Sequence, residues 1–157
     1  MAPSGAGKTT LLRILMGLEQ ADGGTVGGLE GLRLSAVFQE DRLCERLDPV
    51  ANIRLVNPGL SRETVLRALE GVGLDGCAGQ KAEELSGGMR RRVAILRALL
   101  APYDLLLLDE PFRGLDRKTK ALVMEDTRRR CEGRTVLLVT HDPTELSPME
   151  AETCLHL

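Results

Sequence analysis

Apolar and polar positions along the chain switch between two periods. Leu11, Leu12, Ile14, Leu15 and Met16 share a helical stripe that stops at Gly17, which predicts a short helix here. Glycines at 23, 24, 27, 28 and 31 break residues 21–31 into turns, with short strands expected between them. Residues 32–38 alternate and favour a strand ending at Gln39. Residues 40–60 hold no period, and Pro49 and Pro58 read as breakers. Ser61 opens a helix through Leu69, with Val65, Leu66 and Leu69 on one face and Gly71 as its stop. A second helical region covers 83–100, entered through Ser86-Gly87-Gly88 and closed before Pro102. Residues 105–108 are a continuous apolar run, the pattern of a strand buried on both faces. Residues 117–131 read as a helix and 136–139 as another buried strand, ending at Thr140-His141. Strands alternating with helices predict an α/β fold on a parallel sheet.

Three of the apolar runs stop at chemically capable residues: Gln39, then Asp109-Glu110, then His141. In parallel sheets ligands bind outside the carboxyl ends of the strands. The pattern therefore gathers these four residues along one sheet edge, where a helix N-terminus also presents its amides.

Composition bounds the rest. A chain of 157 residues, 43% hydrophobic and 28% charged, suits one domain with a buried core and argues against bulk disorder. A net charge of −2 argues against a general nucleic-acid binder. Aromatics at 2% argue against base-stacking platforms and aromatic cages. No apolar run approaches the ~18–20 residues of a membrane span, and Lys8 with its flanking glycines interrupts any signal-peptide core. Cys44, Cys77, Cys131 and Cys154 show no C-x-x-C spacing, and the histidines are His141 and His156. That set argues against a zinc site and for reduced thiols.

Ala2-Pro3-Ser4-Gly5-Ala6-Gly7-Lys8-Thr9 matches G-x-x-x-x-G-K-[ST], with alanine for the first glycine. Successive backbone amides in such a loop curve around a phosphate, and glycine permits the close approach. Lys8 adds a point charge for the β- and γ-phosphates, and the Thr9 hydroxyl is a Mg²⁺ ligand. Thr10 follows in the helix whose positive end faces the anion. The pattern asks for a strand ahead of the loop, and the loop here begins at residue 2. Beside this loop Asp109 is placed to hold Mg²⁺ through a water. Glu110 is then the candidate to orient or deprotonate an attacking water. Taken alone, the two acids read equally well as a solvated strand cap.

Leu85-Ser86-Gly87-Gly88-Met89-Arg90-Arg91-Arg92-Val93-Ala94-Ile95 resembles the signature motif of ABC ATPases. The order of parts agrees: phosphate loop, Gln39, signature, Asp109-Glu110, Gly114-Leu115-Asp116, then Thr140-His141-Asp142. The chain looks like the nucleotide-binding subunit of an ABC transporter, of importer type. The resemblance implies a P-loop NTPase fold with a mostly parallel sheet, at 1–39 and 101–157. A helical subdomain with the signature would fill about 40–100. It implies ATP and Mg²⁺ as cofactors and residues 2–10 as the nucleotide loop. Two such subunits, alike or different, would sandwich ATP head to tail. Ser86, Gly87 and Gly88 would contact the γ-phosphate held by the partner's Lys8 position. Glu110, His141 and Gln39 would serve catalysis, with Thr9, Gln39 and Asp109 at the metal, and Asp116 would couple the two sites. Partners would be a membrane permease and a solute-binding protein, not nucleic acid, and the location the inner face of the cell membrane. Met89 stands where the family often has glutamine. Family members also carry residues ahead of this loop, including the feeding strand and an adenine-stacking aromatic. The expectation is a chain lacking the N-terminal strands, with Met1 an internal methionine and weak ATP binding by the 157 residues alone.

Other readings keep some of these residues. A soluble ABC protein of ribosomes or DNA is disfavoured by the short stretch between Lys8 and Ser86. A non-catalytic remnant would retain Lys8, Asp109, Glu110 and His141 without their scaffold. A P-loop kinase would not need the motif at 85–88. Arg90–Arg92 and Arg128–Arg130 read as helix faces pairing with nearby acids. His141 and Gln39 alone would be unremarkable, and gain weight from their place in the ordered set.

Overall fold

The computed structural model describes residues 7–154. In chain order these form α1 (Lys8–Leu15), β1 (Leu34–Val37), α2 (Pro49–Arg54), α3 (Arg62–Gly71), α4 (Gly87–Leu99), β2 (Leu105–Asp109), α5 (Arg117–Arg130) and β3 (Thr135–Val139). Single 3-10 turns lie at Ala82–Glu84 and Pro143–Glu145. The strands form a parallel sheet in the order β1-β2-β3. Val37 pairs with Leu108 and Asp109 with Val139, so the carboxyl ends of all three strands meet at one edge.

The period of two in β2 divides the core. Leu105 and Leu107 join Leu12 of α1 on one face of the sheet. Leu106 and Leu108 join the larger cluster on the other face, with Ile95 and Leu96 of α4 and Val123 of α5. That cluster continues outward through Val65 and Leu69 of α3 and Ile53 of α2. Every residue of β2 is buried, as its unbroken apolar run requires. β3 is different: its residues are exposed or half-buried, which corrects the expectation of a second fully buried strand. It pairs with β2 on one side, and among the described residues no strand lies beyond it.

Side-chain caps set where the helices begin. Ser61 accepts from the Thr64 amide at 3.0 Å, Ser86 from Met89 at 3.3 Å, and Asp116 from Lys118 and Thr119 at 3.0 and 3.1 Å. Asp48 caps α2 by accepting from Ala51 at 2.7 Å. Pro49 therefore starts a helix at its first position, where no amide is needed, and is not a breaker. Fully buried Asn52 fastens the preceding loop. Its amide donates to the carbonyls of Cys44, Leu47 and Asp48, and its oxygen accepts from the Cys44 amide. The strands expected within 21–31 are absent. Gly24, Gly28 and Gly31 take left-handed backbone there, which interrupts any ladder.

Candidate nucleotide site at the strand ends

The site is built where α1 and the three strand ends converge. Gly7 caps α1 with φ +78, a backbone that a side chain would strain, and its carbonyl accepts from the Leu11 amide at 2.8 Å. Gly7, as the cap, brings no side chain to the first turn of α1. The positive end of the helix dipole there favours an anion. Lys8 and Thr9 open this turn and Thr10 follows. Ala2, Pro3, Ser4, Gly5 and Ala6 lie outside the described residues, as does His156.

Docking of Leu12 against β2 brings Thr9 to the tip of that strand. The Thr9 hydroxyl donates to Asp109 Oδ2 at 2.7 Å, and Gln39, just beyond β1, donates its amide to the same hydroxyl at 3.3 Å. Asp109 is 2% exposed, and its other oxygen, Oδ1, is buried without a hydrogen-bond partner among the described residues. A buried carboxylate oxygen left unpaired is costly and marks a place where a further group belongs. A threonine hydroxyl, an amide oxygen and a carboxylate are the hard oxygen donors that Mg²⁺ takes, so these residues fit that cation.

Glu110 ends the ladder. Its amide donates to the Val139 carbonyl at 2.8 Å, then its backbone turns into the left-handed region at φ +46. A non-glycine residue in that region costs about 1–3 kcal/mol and persists where the surroundings over-determine it. The turn sets Glu110 Oε1 3.0 Å from His141 Nδ1, beyond the end of β3. Glu110 Oε2 is buried with no hydrogen-bond partner among the described residues, and an exposed Arg113 stands 3.7 Å from it. His141 is itself 61% exposed on its side chain, so the ring borders solvent where a ligand would approach.

A cleft of about 310 Å³ runs from this tip to α4, bordered by Gln39, Glu110, Arg113, Gly87 and Gly88. The signature glycines thus share a cleft with Gln39 and Glu110 of their own chain. Ser86 sits at the cap of α4 with its hydroxyl spent on the Met89 amide. Asp116 is likewise spent on capping α5, and the Thr119 side chain first, then the Thr119 and Lys118 amides, hold its carboxyl below the ordinary range.

Arg91 was not among the sequence candidates. It is 5% exposed and donates to carbonyls on both strand ends and to Asp41, not simply to nearby acids. Burial pushes its pKa down, opposed by Asp41 and then by Asp109 and Glu110. One signal marks it in the sequence. It occupies the first position of the Arg91, Ala94, Ile95, Ala98 stripe that turns inward. Arg92 reaches the Val72 and Gly73 carbonyls at 2.8 Å each. Arg90 pairs with Glu45 at 3.8 Å, and in α5 Arg129 and Arg130 pair with Asp126 and Arg128 with Glu150.

Just past His141, Asp142 accepts from Lys120 of α5 at 2.6 Å and from the Thr144 hydroxyl. The Lys120 bond, then Thr144, holds the Asp142 carboxyl well below the usual carboxylate range. A depressed carboxylate contributes stability above its unfolded pKa of about 3.9 that is lost as pH falls through the folded value. The Asp142→Asn variant is therefore expected to melt below wild type at neutral pH, with the gap closing as pH drops under about 4. Melting temperatures of both proteins from pH 7 to pH 2 check this; a gap independent of pH would assign the loss to packing.

Cys77 and Cys131 are buried, and Cys44 and Cys154 are exposed. No helix among the described residues is long and apolar enough to cross a membrane.

The chain is 47% identical over 151 residues to the aliphatic sulfonates import ATP-binding protein SsuB 1 of Rhodococcus jostii (strain RHA1), covering 92% of this chain and 61% of that protein. It is 43% identical over 157 residues to the SsuB protein of the same description from Escherichia coli (strain K12), covering 93% and 60%. The chain thus spans about three fifths of the length of these curated relatives. The solved structure of an RNase-L Inhibitor superposes with a TM-score of 0.78 at 26% identity, over 95% of this chain and 29% of that one. The α/β architecture with its parallel sheet is thus a shared one, part of a P-loop NTPase fold. The family model described as ABC transporter matches residues 1–113, and with that match, beside the identity to the SsuB proteins, the chain belongs to the ABC transporter family.

Proposed function

We propose that this chain binds and hydrolyses ATP as the energy-coupling subunit of an ABC importer. The reading rests on the tip of β2, where Asp109 meets Thr9 with one oxygen unpaired and strained Glu110 faces His141. Residues 2–10 wrap the phosphates, Lys8 supplying charge and the α1 amides the anion cradle. Thr9, Gln39 and Asp109 would hold Mg²⁺, Asp109 through a water. When bound, the cation neutralises charge developing on the phosphate oxygens. Glu110 orients and deprotonates the attacking water, and His141 holds the Glu110 carboxylate and contacts the γ-phosphate. Residues 1–39 and 101–157 act as the nucleotide-binding core and 40–100 as the helical arm.

Ser86, Gly87 and Gly88 close on the nucleotide of a second ATPase subunit, alike or different, and Asp116 couples the two sites. The dimer works on membrane permease subunits at the inner face of the membrane, supplied by a solute-binding protein. The relatives' names attach import of aliphatic sulfonates to those proteins, and the permease, not this chain, would select the cargo.

The test is phosphate release by the protein assembled with its permease, as ATP and Mg²⁺ are titrated. Saturable, Mg²⁺-dependent turnover is expected. The Asp109→Asn variant should need about 10–100-fold more Mg²⁺ for half its maximal rate, the usual cost of losing an outer-shell metal partner. An unchanged Mg²⁺ requirement would remove Asp109 from the metal site, and absence of turnover in wild type would remove the ATPase reading.

A further inference from the structure

The guanidinium of Arg91 is a junction between elements that are distant in sequence. Nε donates to the Pro111 carbonyl at 2.7 Å. Nη1 donates to the Phe38 carbonyl at 2.5 Å and, more loosely, to the Gln39 carbonyl and the Asp41 carboxylate at 3.2 and 3.3 Å. Nη2 donates to the Asp109 and Glu110 carbonyls at 3.1 and 2.8 Å. One side chain of α4 therefore satisfies backbone acceptors on both sides of the proposed reaction centre. A planar fork with fixed donor directions suits this role, and a flexible ammonium does not.

Two further observations locate the junction. Arg91 lies one helical turn beyond Gly87, so its Cα is rigidly linked to the signature end of α4. Arg97, farther along the same helix, donates to the Asp41 and Arg42 carbonyls at 3.0 and 2.7 Å. The segment after Gln39 is thus gripped by α4 at two points.

We infer that Arg91 is a positioning residue. It fixes the Gln39 segment and the Asp109–Pro111 turn to one guanidinium of α4, so that Glu110 and Gln39 keep their spacing. The inference rests on the ATPase reading for its kinetic consequence, but the tie itself is a property of the backbone and is read without nucleotide. A small misplacement of Glu110 relative to bound substrate is enough to cost on the order of 100-fold in rate.

Two variants test it in the assembled transporter. Arg91→Met keeps length and removes every donor, while Arg91→Lys keeps a charge and donors without the fork. The expected result is kcat lowered about 100-fold in Arg91→Met and about 10-fold in Arg91→Lys, with KM for ATP within about threefold of wild type in both. Hydrogen exchange on the nucleotide-free protein is expected to speed up at 38–42 and 110–114 together, while β3 and α5 keep wild-type protection. Wild-type kcat in Arg91→Met overturns the positioning role. So does exchange in which only one of the two segments loosens, or in which the whole chain loosens equally in both variants. If wild type proves inactive toward ATP, the ATPase reading falls and the exchange experiment still decides the tie.

Discussion

Glu110→Gln is expected to lower kcat for ATP hydrolysis by about 100-fold to 10,000-fold, the range for loss of a positioned general base. Glutamine matches glutamate in shape, so the amide bond to the Val139 carbonyl and the left-handed turn survive. What disappears is the basic oxygen. KM for ATP should stay within about threefold, because the phosphate loop and α1 are untouched. Binding without turnover should leave the ATP-bound dimer as the dominant species, measured as a shift in sedimentation on adding MgATP. The environment of Oε2, buried with Arg113 3.7 Å away, sharpens the expectation. A buried carboxylate oxygen with no hydrogen-bond partner among the described residues, on a strained backbone, is costly to fold. Wild-type turnover in the variant would take Glu110 out of the chemistry.

Leu107→Ala is expected to destabilise the protein by about 2–5 kcal/mol, the range for emptying a fully buried leucine site. Leu107 is the centre of the smaller cluster, with Leu12 and Leu105, that holds α1 on the sheet. The opposite face has a far larger core and would not be emptied by this change. The loss should therefore fall unevenly. Urea unfolding gives the total, and hydrogen exchange should show α1 opening more readily than α4. Since α1 carries Thr9, the 2.7 Å bond to Asp109 should weaken with it, and nucleotide affinity should fall alongside stability. A loss under about 1 kcal/mol would mean that α1 settles into the void, contrary to the packing seen.

Most helices and strands were legible because their cues are local. The apolar run at 105–108 has the length and composition of a buried strand, and Ser61 and Ser86-Gly87-Gly88 marked the entries to helices. Pro49 misled because the same residue breaks a helix interior and opens a helix at its first position; Asp48 ahead of it was the deciding cue. Residues 136–139 read as buried because apolarity cannot report whether a further strand lies beside β3.

The sequence by itself determined which residues could carry phosphate chemistry and that parallel strands would present Gln39, Asp109, Glu110 and His141 at one edge. That much follows from spacing, since strand ends and loop residues are set by local periodicity. The pairings were decided by tertiary structure: Thr9 with Asp109, Glu110 with His141, and Arg91 with both strand ends. These join residues far apart in the chain. Their distances depend on strand register, on how α1 and α4 seat against opposite faces of β2, and on the strained turn at Glu110. Hydrophobic periodicity encodes which face of an element is buried, not which partner it meets, so such contacts exist only once the core has packed.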